Sequence, residues 1–68
     1  MRGIEAQKQV RIGAIIKTEF GYFYRREAGT VGGQPAWVRI ELCNGRLRAR
    51  GRKTGLVADR QFELVMTA

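Results

Sequence analysis

Four arginines occupy every second position directly after an Asn-Gly dipeptide, in the segment NGRLRARGR: Arg46, Arg48, Arg50 and Arg52. A β-strand turns alternate side chains to opposite faces, so this spacing predicts that all four guanidinium groups lie on one face. We call these four residues the arginine row. Guanidinium groups repel one another, but each is a planar fork that matches the oxygens of a phosphate. The segment indicates a surface for an anionic ligand, and the other interpretation is a row of solvated side chains.

The Asn44-Gly45 dipeptide predicts the hairpin that positions this row, because Asn-Gly is typical of a two-residue type I′ turn. Such a turn pairs Cys43 with Arg46 and, further along, Trp37 with Arg52. One predicted face is then apolar and consists of Val38, Ile40, Leu42, Leu47, Ala49 and Gly51. The other carries the arginine row with Trp37, Arg39 and Glu41. A slip of one residue would invert this separation, which supports the register.

The predicted polar face makes three specific contacts. Glu41 lies opposite Arg48, as an ion pair between strands. Trp37 lies opposite Arg52, as a cation–π pair, and its ring is also a surface on which a base can stack. Arg39 lies opposite Arg50, a like-charge pair that predicts a ligand phosphate between them, unless both side chains point into water.

The aromatic strand YFY extends the candidate site, since exposed rings among arginines form a stacking platform for single-stranded bases. Either Tyr22 and Tyr24 point outward near Lys17, with Phe23 in the core, or the two tyrosines help to fill the core. The candidate nucleic-acid-binding residues are Trp37, Arg39, Arg46, Arg48, Arg50, Arg52, Tyr22, Tyr24 and Lys17.

The overall charge favours the same ligand class. The chain has 68 residues and a formal net charge of +7, from 13 Lys and Arg against 6 Asp and Glu. This balance is typical of nucleic-acid binding, and the alternative is a basic domain that docks on an acidic protein. No apolar run approaches the roughly 20 residues of a membrane span, and residues 1–10 lack the apolar stretch of a signal peptide. We therefore expect a cytoplasmic protein without membrane contact.

Enzymatic chemistry has few residues to use. The chain contains no histidine or serine, one aspartate, Asp59, and one cysteine, Cys43. This composition excludes serine triads, Cys–His pairs, disulfides and cysteine-cluster zinc sites within the chain. We predict a protein that is not an enzyme and has no catalytic residue, no metal and no cofactor.

Periodicity predicts a tail or a single helical turn over residues 1–7 and one small domain over residues 8–68. The predicted strands are Lys8–Lys17, Tyr22–Arg26, Trp37–Cys43, Arg46–Arg52 and Arg60–Met66. A long loop is predicted over Ala28–Pro35, and a short link over Lys53–Asp59. Five short strands with glycine-marked turns indicate an all-β domain, a single small five-stranded antiparallel barrel.

Two barrel families share motifs with this chain. The positions of Trp37, Asn44-Gly45, Gly55-Leu56-Val57 and residues 62–65 resemble the last part of a Src-homology-3 barrel, which we favour. Ala58 and Gln61 stand where that family has a proline and a ligand-binding tyrosine, so the resemblance implies the barrel without its proline-rich ligand. The stretches Gly13–Lys17 and Val38–Gly45 are also similar to oligonucleotide-binding barrels, which imply a different strand order.

The leading functional hypothesis is a barrel that binds RNA or single-stranded DNA, since no predicted helix is available to enter a duplex groove. The alternative is a small interaction module, regulator or inhibitor that docks on an acidic protein. Self-association into a homo-oligomer is a third prediction, because so short a chain has a thin margin of stability.

Overall fold

A computed structural model describes residues 1–56 and 60–67. A single helix, α1 (Gly3–Gln9), precedes five strands: β1 (Ile15–Thr18), β2 (Phe23–Val31), β3 (Gln34–Cys43), β4 (Arg46–Thr54) and β5 (Phe62–Met66). The strands form one antiparallel sheet in the order β4-β3-β2-β1-β5. The predicted all-β class and the five strands are confirmed. Within the described residues, β4 and β5 are the two edges of the sheet and do not pair with each other.

The N-terminal region differs most from the prediction. The expected strand over Lys8–Lys17 is confirmed only from Ile15 onward, because α1 covers its beginning. Gly13, with a φ of 94°, turns the chain between α1 and β1. Of the two alternatives for residues 1–7, the helical turn is the closer one, because α1 is a seven-residue helix that packs onto the sheet, with Ala6 fully buried. The alternation of Val10, Ala14 and Ile16 arises from helix end, turn and strand all facing one core cluster.

The predicted long loop over Ala28–Pro35 is also wrong, since β2 and β3 continue through it and pair up to Val31 and Gln34. Gly32 and Gly33 alone form the turn, and both have the positive φ that glycine adopts without strain. In the turn after β1, the Thr18 hydroxyl accepts hydrogen bonds from the backbone N–H groups of Phe20 and Tyr22. Of the predicted link over Lys53–Asp59, residues 57–59 lie outside the described residues, as does the Val57 of the Gly55-Leu56-Val57 motif.

The hairpin between β3 and β4 has the predicted register near its tip. The pairs run from Cys43 with Arg46 to Arg39 with Arg50, and Asn44 has the positive φ of 52° that a type I′ turn requires. Beyond Arg50 the register shifts at a bulge, where Gly51 has a φ of 77°. The prediction that Trp37 pairs with Arg52 is therefore wrong, and Trp37 pairs with Thr54.

Each face of the sheet has its own apolar cluster. The helix face, against which α1 packs, buries Ala6, Val10, Ala14, Ile16, Trp37, Leu56 and Phe62. The opposite face, which we call the trough face, buries Ile15, Val38 and Ile40, with Phe23 packed against them. Strand alternation assigns Phe23 to the trough face and Tyr24 to the helix face. The two alternatives for the YFY strand placed either Phe23 or the tyrosines in the core. Each is right in part, because Phe23 packs against one core cluster and Tyr24 packs against the other.

Candidate functional site

The arginine row lies on edge strand β4, and every residue of that strand is exposed. Arg46, Arg48 and Arg50 pair with Cys43, Glu41 and Arg39 of β3, so these three arginines project from the helix face. Arg52 follows on the same strand beyond the bulge at Gly51. The row is thus a strip of cationic side chains along an open edge, where one flank of the backbone has no neighbouring strand among the described residues.

Glu41 neutralises part of this surface in a way that differs from the prediction. Its backbone lies opposite Arg48 as expected, but its carboxylate oxygens contact Arg39 at 3.4 Å and Arg50 at 3.2 Å. The carboxylate therefore bridges the like-charged pair of Arg39 and Arg50. This bridge takes the place that the prediction gave to a ligand phosphate. Arg48 has no ion pair among the described residues and is available to a ligand.

Trp37 is not part of the exposed site. Its side chain is fully buried on the helix face, together with Ala6 and Leu56, and its indole N–H has no hydrogen-bond partner in the described part of the chain. The predicted stacking on Arg52 is wrong: the guanidinium over the indole ring is that of Arg26, at 5.9 Å from the centroid. Trp37 does lie on the same face as Arg39, but α1 covers that end of the face.

The two tyrosines and Lys17 separate. Tyr22 is 47% exposed, and the Arg39 guanidinium lies 4.0 Å from its ring centroid. Tyr24 is half-buried against the helix-face cluster, so only part of its side chain is open to a ligand. Lys17 lies on the trough face, with its ammonium group 5.8 Å from the Phe23 ring, so the structure does not bring it to the arginine row.

A groove on the helix face adds residues that the sequence prediction missed. It has a volume of about 310 Å³ and is walled by Phe20, Tyr22 and Tyr24. Arg60 also lines it and lies 5.1 Å from the ring centroid of Phe20, which is 65% exposed. The end of β4 closes one side of this aromatic groove, since Thr54 and Gly55 line it. The one signal in the sequence is that Phe20 is a large aromatic residue between two predicted strands, Lys8–Lys17 and Tyr22–Arg26.

The arginine row and the aromatic groove meet through Arg39. Its backbone pairs with Arg50 of the row and with Tyr24 of the groove, and its guanidinium stacks on Tyr22. The result is a continuous surface that offers guanidinium groups at one end and two arginine–aromatic stacks at the other. Such a surface can bind anionic oxygens and planar rings together.

Other kinds of site find no support in the described residues. No group of three or more His, Cys, Asp or Glu side chains converges there as a metal site would require, and Cys43 is an exposed free thiol. No described helix is long and apolar enough to cross a membrane. Comparisons with protein-family models, with curated proteins and with solved structures give no match.

Proposed function

We propose that this protein binds single-stranded nucleic acid along the arginine row, with bases held in the aromatic groove, and that it is not an enzyme. The observation that carries the proposal is the junction of the two features at Arg39, which joins a row of exposed arginines to an exposed tyrosine ring. We further propose that the protein acts in the cytoplasm, as the sequence predicts.

The arginine row supplies the contacts to phosphate. Alternate residues of a strand are about 6.8 Å apart, so Arg46, Arg48 and Arg50 present guanidinium groups at regular intervals along an extended backbone. Arg52 continues the row beyond the bulge at Gly51. Each guanidinium can donate two parallel hydrogen bonds to one phosphate. Arg46, Arg48 and Arg52 have no carboxylate partner among the described residues, so they can bind phosphate without first breaking an ion pair.

The aromatic groove supplies the contacts to bases. In the free protein, guanidinium groups occupy one face of Phe20 and one face of Tyr22. A base can stack on the free face of either ring, or it can displace the guanidinium, which then turns to a neighbouring phosphate. Stacking of this kind contributes about 1–3 kcal/mol per base and requires that the base is not already stacked in a duplex. Trp37, which the sequence analysis placed in this role, is replaced by Phe20 and Tyr22.

Duplex recognition fits the surface poorly. The one helix among the described residues, α1, has seven residues and packs on the core, so it cannot enter a major groove. A paired base cannot reach the groove rings without leaving its stack. Single-stranded RNA or DNA is therefore the ligand class that uses both halves of the site.

The test is fluorescence anisotropy of a labelled single-stranded oligonucleotide, with two charge-matched double variants. Arg48→Glu with Arg52→Glu reverses two charges in the row, and Lys8→Glu with Arg11→Glu makes the same change in net charge near the opposite edge strand, where Arg11 lies beside Leu64 of β5. We expect the row variant to lose at least about a hundredfold in affinity and the control variant much less. Equal losses in both would show that only net charge matters. If the wild type fails to bind at low salt, the alternative of docking on an acidic protein replaces this proposal.

A further inference from the structure

The trough face carries an apolar hollow that nothing in the described residues covers. It has a volume of about 200 Å³, and its floor is formed by Ile15, Phe23 and Ile40 of the three central strands. Its walls come from both edge strands, with Leu47 of β4 on one side and Val65 and Met66 of β5 on the other. Residues of both edges line one hollow because the sheet curves around this face. We call this feature the apolar trough.

The rim of the trough includes a protruding apolar pair. Leu42 and Leu47 are cross-strand partners next to the tip of the β3–β4 hairpin, and they are 73% and 49% exposed. The prediction that both lie on one apolar face is confirmed. They are exposed because no layer among the described residues covers the outer part of the hairpin, and Ala49 is exposed for the same reason. Both leucines also line the hollow, so the pair forms its raised wall on the side of the hairpin.

Charges on this face are nearly balanced, in contrast to the rest of the molecule. Strand alternation places three cations, Lys17, Arg25 and Lys53, and two anions, Glu27 and Glu63, on the trough face. Lys17 pairs in register with Glu63, and Arg25 lies 3.3 Å from Glu27. Arg46, Arg48 and Arg50, which pair with residues of β3, project from the helix face instead. Two copies can therefore meet trough to trough without bringing their arginine rows together.

We propose that the apolar trough binds a second copy of this chain. In a two-fold contact, the same surface patch of each copy meets that patch of the other copy, so the patch must be complementary to itself. The leucine pair of each copy enters the hollow of the other, and the acidic and basic side chains around the trough pair across the axis. The dimer keeps both arginine rows on its outer surfaces.

Sedimentation equilibrium of the full chain, from micromolar to millimolar concentration and without nucleic acid, tests this proposal. We expect a reversible monomer–dimer equilibrium in the wild type. Leu42→Asp places an unpaired charge in the contact and is expected to weaken dimerisation by about a hundredfold or more. Because Leu42 is mostly exposed, the monomer is expected to remain folded, which circular dichroism checks.

Ile12→Asp is the matched control, since Ile12 is 58% exposed but does not line the trough. It is expected to dimerise as the wild type does. A wild type that stays monomeric over the whole range would overturn the proposal and leave the trough to a foreign protein. A dimer that Leu42→Asp leaves intact, or that both variants weaken equally, would also overturn it. None of these results depends on whether the arginine row binds nucleic acid.

Discussion

The two faces of this sheet share their strands but differ in what covers them. On the helix face, α1 covers the end that contains Trp37, and the other end is left open with Arg39, Glu41 and most of the arginine row. On the trough face, no second layer among the described residues lies over Ile40 and its neighbours, and the exposed part is apolar. The alternation of side chains along the strands fixes which residues share a face. The position of a seven-residue helix decides which of them becomes core.

This contrast gives each face a different chemistry. The open end of the helix face has an excess of guanidinium groups and suits an anionic ligand, whereas the trough face has nearly balanced charges and suits an apolar partner. One sheet can thus separate two binding roles without a second domain. The separation also means that substitutions on one face are expected to leave the other intact.

The largest effect is expected from Trp37→Ala, which removes the largest buried side chain beneath α1. Loss of a buried tryptophan costs about 3–5 kcal/mol, and a domain of this size has only about 3–5 kcal/mol of stability. The variant is expected to be largely unfolded at room temperature by circular dichroism. Phe20→Ala, at a mostly exposed ring, is the control and is expected to keep the wild-type midpoint. A stable Trp37→Ala variant would show that α1 does not hold that end of the sheet.

The next largest effect is a difference in stability between a substitution at the floor of the apolar trough and one at its rim. Ile40 is 2% exposed and Leu42 is 73% exposed, although they are two residues apart on the same face of β3. We expect Ile40→Ala to lower the free energy of unfolding by about 2–4 kcal/mol and Leu42→Ala by less than about 0.5 kcal/mol. Urea denaturation at a concentration where the chain is monomeric measures both. Equal losses would mean that the rim is covered within the monomer.

An effect on stability smaller than that of Ile40→Ala is expected from Glu41→Gln, because the two ion pairs of Glu41 are partly solvated. The loss should be about 0–1 kcal/mol. Oligonucleotide affinity should change in the opposite direction and rise about two- to fivefold, since a negative charge leaves the phosphate-binding surface and frees Arg50. Anisotropy at low salt measures the gain, and Glu63→Gln on the trough face is the control. A weaker complex would mean that Glu41 positions the arginines rather than opposing the ligand.

The sequence predicted the parts of this fold that local chemistry determines. The Asn44-Gly45 turn fixed the hairpin register as far as Arg39 and Arg50, and the alternation in β4 correctly predicted the exposed arginines. The prediction failed where contacts with segments distant in the sequence decide whether a side chain is buried. The burial of Trp37 depends on α1, and the exposure of Leu42 depends on the absence of a second layer among the described residues. The bulge at Gly51 uses a backbone conformation that its sequence position alone did not indicate.

The groove residues were hidden for a similar reason. Phe20 and Arg60 are 40 positions apart, so only the pairing of β1 with β5 brings the neighbouring turns together. A pattern within one strand carries no information on such a contact. The two resemblances to barrel families, and the functions that they imply, stay predictions.

The most direct measurement of the central claim is the salt dependence of single-stranded oligonucleotide binding by the wild type, Arg48→Gln and Arg11→Gln. Each phosphate that an arginine neutralises adds about 0.7 to the slope of log Kd against log salt concentration for a single strand. If Arg48 in the row binds phosphate, the Arg48→Gln slope falls by about this amount and the Arg11→Gln slope equals that of the wild type. An unchanged slope in Arg48→Gln, or an equal fall in both variants, would contradict the claim that the arginine row binds the nucleic acid backbone.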